Sequence, residues 1–428
     1  MASDARFFYG HWLIVAGFVT QFVSVGAQNY AIGAFMVPMT QELGWTRAEF
    51  ILPRSIGQIV MALTGFYVGS HVDRRGAQPF MLFGLSVLTA ALFALSFVQA
   101  WWQWVVLNGV VLTVGAALIG NLVVNVTLAK WFVEKRGQAV AWASMGVSFA
   151  GIGVTPAVTR CIDSFGWRVG WQAMAAAALL LTLPAALLMR RAPEDHGLSP
   201  DGKTKAQIAA GGGARAQADF EASLTRQQAL RTPTFYLLVV AFGMSQVLIP
   251  VVLFQTIPFM TDAGYSRATA ALMITLASVP ALVTKPVWGW LIDRMNPKPL
   301  AAFSAMLAGA SLVMIVFSVQ ARSEVWEYAA FLLLGVGWGG AIPMQEVIWG
   351  SYFGRRYLGA VRSAALPFAL VLGAGGPLLV AHYQDVTGSY DLAFLVVAGM
   401  SIAGGALVLF LPKNTRHRVH ATREGQPS

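Results

Sequence analysis

Three charged side chains fall inside hydrophobic runs where charge is costly: Arg54, Lys285 and Glu346. A charged group at the centre of a bilayer costs at least about 2.5 to 3.5 kcal/mol on insertion scales, so each needs a reason to be there. An ammonium or guanidinium in that position can meet a negatively charged solute, and a carboxyl can take up and release a proton. At about 1.5 Å rise per residue, Lys285 stands roughly 12 Å from Asp293 and Glu346 roughly 13 Å from Arg355, so both lie near mid-membrane at nearly one depth. Arg54, sixteen residues before Ser70, lies nearer the opposite side. Lysine is a compact point charge without arginine's planar fork, so it can hold a carboxylate with little geometric selectivity. The uncharged polar residues in comparable runs, Tyr30, Asn29, Asn125 and Gln255 with Gln28, Asn121 and Gln246, are candidate hydrogen-bond partners for a solute. Each is equally suited to bonding a neighbouring helix.

Other chemistries are excluded or unsupported. Cys161 is the single cysteine, which rules out an intrachain disulfide, and the six histidines lack a metal-ligand spacing such as H-E-x-x-H. Without a nucleophile elbow or a phosphate-cradling loop in a credible context, neither an enzyme nor a cofactor is expected.

The elements that position these residues must be membrane helices. The chain is 57% hydrophobic and 11% charged with a mean hydropathy of +0.62, whereas soluble domains carry roughly 25% charged residues. Apolar runs near the ~18 to 20 residues needed to cross a bilayer recur along its length. Twelve spans are expected, over 11–37, 48–70, 79–98, 103–129, 138–160, 169–189, 234–260, 268–291, 299–319, 326–352, 360–382 and 391–411. The first is too long, and too closely followed by a second, to be a cleaved signal peptide. The polar stretch 192–233, with Pro193, Pro200 and Gly211-Gly212-Gly213, reads as a linker whose last part, Ser223 to Arg231, forms a short surface helix. The expected organisation is thus a six-helix bundle over 1–191, the linker, a second six-helix bundle over 234–412 and a tail over 413–428.

Basic residues crowd one side of these spans, including Arg74, Lys130, Arg136, Arg191, Arg294, Arg355 and the tail from Lys413 to Arg423. The other side has only Arg47, Arg160, Arg168, Arg267 and Arg322. The positive-inside rule puts both termini in the cytoplasm, in the plasma membrane or, in a bacterium, the inner membrane. The net charge of +10 is therefore topological, and no nucleic-acid partner is expected. Trp101, Trp102 and Trp104 at one external turn, and Trp167 and Trp171 at another, read as aromatic-belt anchors.

The chain also repeats itself. Gly44-Trp45-Thr46-Arg47-Ala48 returns at an offset of 220 as Gly264-Tyr265-Ser266-Arg267-Ala268, and Gly69 with Asp73-Arg74 returns at the same offset as Gly289 with Asp293-Arg294. Phe132 and Lys135-Arg136 return as Phe353 and Arg355-Arg356, and Asp163 and Gly166 return at an offset of 222 as Asp385 and Gly388. Four landmarks in one order at a nearly constant offset make the chain two copies of one membrane unit, as many secondary transporters are built. Asn125 and Glu346 are related by an offset of 221, so one copy has a neutral amide where the other has a titratable acid.

Gly69-Ser70-His71-Val72-Asp73-Arg74-Arg75-Gly76 resembles the signature G-x-x-x-D-R-x-G-R-R of the major facilitator superfamily, with its second copy at Gly289 to Arg294. Ala77-Gln78 stand in place of the trailing basic pair. Lys130-Trp131-Phe132-Val133-Glu134-Lys135-Arg136-Gly137, Gly44-Trp45-Thr46-Arg47, Pro193-Glu194-Asp195-His196-Gly197-Leu198 and Tyr352-Phe353-Gly354-Arg355-Arg356 are similar to the monocarboxylate porter and oxalate/formate antiporter branch. The resemblance implies an all-α fold of twelve transmembrane helices in two pseudo-symmetric bundles. It also implies a central cavity lined by helices one, two, four, five, seven, eight, ten and eleven, a cationic residue at about the position of Lys285, and a cytoplasmic latch built on Asp73, Arg74, Asp293 and Arg294. The Gly- and Pro-rich stretches of helices five and eleven would allow close packing and bending.

The expectation is a monomeric carrier in the lipid bilayer for a small organic anion, a monocarboxylate, moved with a proton. Arg54, Tyr30, Asn29, Asn125, Gln255 and Lys285 contact the substrate, and Glu346 couples the proton. While Glu346 is ionised it neutralises Lys285; once protonated, it leaves Lys285 to hold the carboxylate. Anion exchange, which needs no titratable acid, and efflux of other small solutes are the alternatives, and a permanent Lys285–Glu346 pair that merely fastens two helices is the structural one.

Overall fold

The repeated sequence landmarks mark the ends of helices. Gly44 and Gly264 adopt left-handed φ of 69° and 90°, a conformation open to glycine without penalty. Two residues on, Thr46 and Ser266 cap helices by accepting from the backbone N–H of Glu49 and Thr269, and Thr46 with Glu49 completes a capping box. Gly166 and Gly388, with φ of 82° and 75°, form the equivalent turns after two other helices.

The structure, a computed structural model, describes residues 8–204 and 214–412. The basic tail and Gly211 to Gly213 lie outside the described residues. Among these, eleven helices are long and apolar enough to cross a membrane, and a further 30-residue helix, Leu358–Thr387, stands where the eleventh span is expected. No strand occurs among the described residues.

Two compact units emerge, Met1–Thr225 with Phe353–Ala364, and Arg226–Tyr352 with Ala365–Ser428. In the first unit, span one runs through Gly10–Val25, a π turn at Gly26–Tyr30 and Ile32–Leu43. Span two is Arg47–Arg75 and span three Gln78–Leu95. Span four is assembled from Trp101–Trp104, a π segment Val105–Leu112, Thr113–Ile119 and Asn121–Trp131. Spans five and six are Arg136–Phe165 and Trp167–Leu188. Spans one and four were expected to be unbroken. At Gly120 the backbone turns extended, with φ −87° and ψ −164°, and splits span four in mid-course. In the second unit span seven divides at Val247 into Pro233–Gln246 and Leu248–Asp262. Spans eight, nine, ten and twelve are Arg267–Arg294, Pro297–Ala321, Glu324–Phe353 and Asp391–Leu409.

Lipid gives helices no hydrophobic reason to associate, so close approach and hydrogen bonds hold each unit together. At Gly146 in span five a Cβ would come within 2.1 Å of the Phe18 carbonyl oxygen of span one, and at Gly335 in span ten within 2.0 Å of the Ala277 carbonyl oxygen of span eight. Only glycine fits at such crossings. Long side chains tie spans together at repeat positions: Trp131 Nε1 donates to Arg190 O at 3.2 Å, and at the equivalent place in the second copy Tyr352 OH donates to Pro412 O at 2.9 Å.

The expected aromatic belt is corrected in part. Trp102 is exposed, but Trp104 and Trp171 are fully buried and Trp167 nearly so. Trp104 donates to Phe50 O at 3.0 Å and packs on the Phe50 ring, while Trp171 stacks on Phe35 with centroids 3.7 Å apart. These rings are core, because the helices that carry them turn them toward Phe35, Phe50 and each other.

Candidate functional site

Asp73 occupies the last turn of span two, and Lys130 the last turn of the second half of span four. The Lys130 ammonium stands 3.0 Å from Asp73 Oδ1 as an ion pair and donates to the Asp73 carbonyl oxygen at 3.3 Å. Asp73 Oδ2 accepts the backbone N–H of Ala360 at 2.8 Å, in the first turn of Leu358–Thr387. A carboxylate at a helix N-terminus gains from both the free N–H groups and the helix dipole. One turn before Asp73, a Cβ at Gly69 would lie 2.2 Å from the Gly359 carbonyl oxygen and 2.5 Å from Ser363. The Gly-x-x-x-Asp spacing thus lets two helices touch and then pins one to the other.

Lys130 supplies the basic side chain of this pin, and Arg74, also expected in the latch, is exposed and joins none of the described ion pairs. In the second copy Arg294 is also exposed, lying over the Trp290 ring at 4.2 Å, and Asp293 is half-buried.

The linker closes around the same end of the first unit. Asp201 reaches the entry of span five, where its carboxylate accepts the N–H groups of Val133, Glu134 and Lys135 at 3.0 to 3.2 Å. Glu194 pairs with Arg355, whose Nη1 also donates to the Lys130 carbonyl oxygen at 3.1 Å. Asp219 faces Arg136 at 3.4 Å. Farther along, Leu224 N donates to Phe353 O at 2.9 Å and Arg356 N to Ser223 Oγ at 3.2 Å. The expected surface helix is present as Arg226–Leu230, preceded by an unexpected one, Ala214–Glu221. Beside Asp195, the Arg191 guanidinium draws that carboxyl below its ordinary range.

The membrane-embedded candidates of the first unit gather around its irregular backbone. Arg54 Nη1 donates to the carbonyl oxygen of Gln28, inside the π turn, at 2.9 Å. Tyr30 ends that turn, and a Cβ at Gly151 would lie 2.9 Å from its ring. Asn29 is exposed. Asn125 is buried, and its Oδ1 accepts from Gln21 Nε2 at 3.1 Å.

In the second unit Lys285 and Glu346 are 3% and 4% exposed, on spans eight and ten. Both residues have interaction partners. Pro286 directly follows Lys285 and cannot donate to the ladder, which leaves the Leu282 carbonyl one turn back without its helical donor. Gln255 donates to Pro377 O at 3.2 Å, and Gln246 to Gln345 at 3.0 Å.

A family model, the Major Facilitator Superfamily, matches residues 17–377 and again 258–428. The chain belongs to the major facilitator superfamily. The chain is 24% identical over 413 residues to the MFS-type transporter pynF of Aspergillus niger, covering 94% of this facilitator and 88% of that protein. Monocarboxylate transporter 11 of Mus musculus is 25% identical over 353 residues, 81% of this chain and 75% of that one. A nitrite extrusion protein of Bacillus subtilis is 21% identical over 406 residues, 92% and 93% of the two chains. In structure the facilitator is similar to the proton:xylose symporter XylE, with a TM-score of 0.79 at 13% identity, covering 97% of this chain and 99% of that one.

The fold is therefore the twelve-helix major facilitator fold, and the protein is an integral membrane transporter rather than an enzyme. Sequence reasoning missed Gln21, Gln345, Glu194, Asp201 and Asp219. Gln21, Ser24 and Gln28, all buried, are spaced three and four apart on one stripe of span one, a helical periodicity of polar residues within an apolar run that marks Gln21 without coordinates. For the linker acids, no spacing points to their distant partners.

Proposed function

We propose that this facilitator carries a small organic anion, a monocarboxylate, together with a proton, by alternating access. The observation that carries the reading is the burial of Lys285 and Glu346, one base and one acid on two spans of one unit, each more than nine-tenths hidden. A lysine held inside such a unit attracts a carboxylate, and an acid in the same unit gives a proton somewhere to ride. With Glu346 ionised, positive and negative charges within the unit cancel; protonating Glu346 leaves a net positive site that a carboxylate neutralises, so proton and anion bind together. Arg54 extends the positive field in the first unit, with Tyr30 and Asn29 beside it at the π turn and Gln255 in the second unit. Asn125, engaged with Gln21, shapes span four rather than touching substrate. Asp73 with Lys130, and Asp293 in the second copy, act as gate elements, with Arg74 and Arg294 adding charge at the cytoplasmic surface. The relative named as a monocarboxylate transporter supports this choice of cargo. The carrier works as a monomer in the plasma membrane, with both termini in the cytoplasm.

Exchange of one anion for another is the second reading, favoured by the similarity to a nitrite extrusion protein. Proteoliposome uptake of labelled lactate, pyruvate, formate and oxalate, with and without a pH gradient, tests both. Symport predicts accumulation that collapses with the gradient and loses its pH drive in Glu346→Gln. Uptake driven only by an internal anion, unchanged in that variant, selects exchange; uptake of neutral or cationic compounds alone refutes both.

A further inference from the structure

Each unit joins its first and fourth spans by a hydrogen bond between two side-chain amides. In the first unit Gln21 donates to Asn125 at 3.1 Å, and in the second Gln246 donates to Gln345 at 3.0 Å. Asn125 and Gln345 are related by an offset of 220, but Gln21 and Gln246 by one of 225, five more than the Gly44–Gly264 landmark that follows these spans, so the two bridges join corresponding spans at different positions. The nearest landmarks of spans four and ten, Trp131 with Tyr352 and Phe132 with Phe353, are 221 apart, which places Glu346 rather than Gln345 at the position of Asn125. In the first unit the residue at that position makes the bridge. In the second the bridge has moved back one residue, about 100° around the helix, and the position itself carries the buried carboxyl of Glu346.

Both bridges are anchored at weak points of the backbone. Gln246 directly precedes Val247, the joint between the two helical segments of span seven, where the backbone stays helical at φ −61° and ψ −33°. Gln345 follows Pro343 by two residues, where the missing N–H leaves the Gly339 carbonyl without its helical donor. Gln21 lies just over one turn before the π turn of span one, and Asn125 five residues after the extended Gly120. A bridge at such points fixes how one helix is rotated against the next.

We propose that Gln345 and Gln246 are positioning residues for Glu346. Their bond sets the rotation of span ten at the residue next to the acid and ties it to the joint of span seven at Val247, so that bending of span seven there alters the surroundings of the carboxyl. The proposal rests on the reading of Glu346 as the proton-carrying group. Span ten itself carries Glu324 and Glu327 at its outer end. Of the other spans of this unit, span eight offers Lys285, with Arg267, Asp293 and Arg294 at its ends; spans seven, nine and twelve offer Asp262, Lys298 and Asp391 at theirs, and the part of span eleven in this unit His382 and Asp385. Away from the ends of spans seven to ten and twelve, Lys285 is the charged residue these spans offer besides Glu346.

The test measures the dependence of uptake on outside pH in proteoliposomes, using whichever of labelled lactate, pyruvate, formate or oxalate is taken up. Gln345→Leu, Gln246→Leu and the double variant are compared with Glu346→Gln. The midpoint of the profile should shift in the same direction in both single variants by about half a pH unit, a threefold change in proton affinity. The double variant should shift no further, because both changes break one bond. Where a leucine variant does not fold, as judged by its elution and thermal unfolding, Gln345→Asn is measured in its place and should also shift the midpoint. A slower rate with an unshifted midpoint overturns the positioning role alone and leaves a plain brace. Retained pH dependence in Glu346→Gln, or uptake of none of the four acids, overturns the underlying reading and the proposal with it.

Discussion

Replacing Asp73 with alanine removes both halves of the pin at the end of span two. The carboxylate accepts the Ala360 N–H at 2.8 Å and faces the Lys130 ammonium at 3.0 Å, with side-chain exposures of 4% for Asp73 and 7% for Lys130. A hydrogen bond to a charged group contributes about 1.5 to 3 kcal/mol, and stripping one partner from a buried ion pair costs about 3 to 5 kcal/mol. Lys130 keeps the Asp73 carbonyl oxygen at 3.3 Å, so the lower end of the second range applies. A loss of about 3 kcal/mol corresponds to roughly a 150-fold rise in the opening equilibrium. Hydrogen exchange of the purified protein should show amides 359 to 361 losing about that factor of protection, while the far end of span three, residues 88 to 95, stays unchanged. Arg74→Ala, at an exposed site, should change protection by less than about twofold, in line with the ±0.5 kcal/mol of ordinary surface substitutions. Equal effects from the two variants, or none from Asp73→Ala, would refute the assignment of the pin to Asp73 and Lys130.

Other substitutions probe the elements around the site. Asp201→Ala strips the acceptor from three N–H groups at the entry of span five; loss of such a cap costs about 1 to 2 kcal/mol, so exchange at residues 133 to 135 should accelerate roughly tenfold. Unaltered exchange there would mean that the linker merely lies against that loop. At the opposite end of the unit, hydrogen bonds from Arg168 and Trp167, at 2.5 and 2.6 Å, hold the Glu42 carboxyl below its ordinary value of 4.5. An acid with a depressed value adds stability above its unfolded value and loses that contribution as pH falls through the folded one. The difference in unfolding temperature between the unaltered protein and Glu42→Gln should therefore be full at neutral pH and close below about pH 4.5. A difference independent of pH would contradict the pairing.

Much of this arrangement was legible in the sequence because a bilayer imposes strict rules. Apolar length alone located the helices, and the offset of 220 paired Thr46 with Ser266 and Asp73 with Asp293 before the caps at Thr46 and Ser266 and the pin at Asp73 were visible. Lys285 and Glu346 stood out because charge inside an apolar run demands a cause. The breaks were hidden for a different reason. Nothing in Val105 to Leu112 distinguishes a π segment from an α-helix, and Gly120 is one glycine among many in apolar spans. Lys130 was indistinguishable from the other inward-side cations, since its pairing depends on how spans two and four cross. Trp104 and Trp171 read as belt residues because position along a span predicts depth in the membrane, whereas their burial is decided by which face of the helix they occupy. The linker acids meet partners between about 65 and 160 residues away, and no local pattern encodes such contacts.

The cargo assignment depends on a buried ammonium meeting a carboxylate, and Lys285→Met tests it with little change in side-chain length. Initial rates of labelled lactate, pyruvate, formate and oxalate uptake are to be measured in proteoliposomes at fixed protein density, with folding verified by thermal unfolding. Uptake of the transported acid should fall at least tenfold, the loss of one charge-assisted contact of about 1.5 kcal/mol or more. Uptake at the unaltered rate would contradict the assignment.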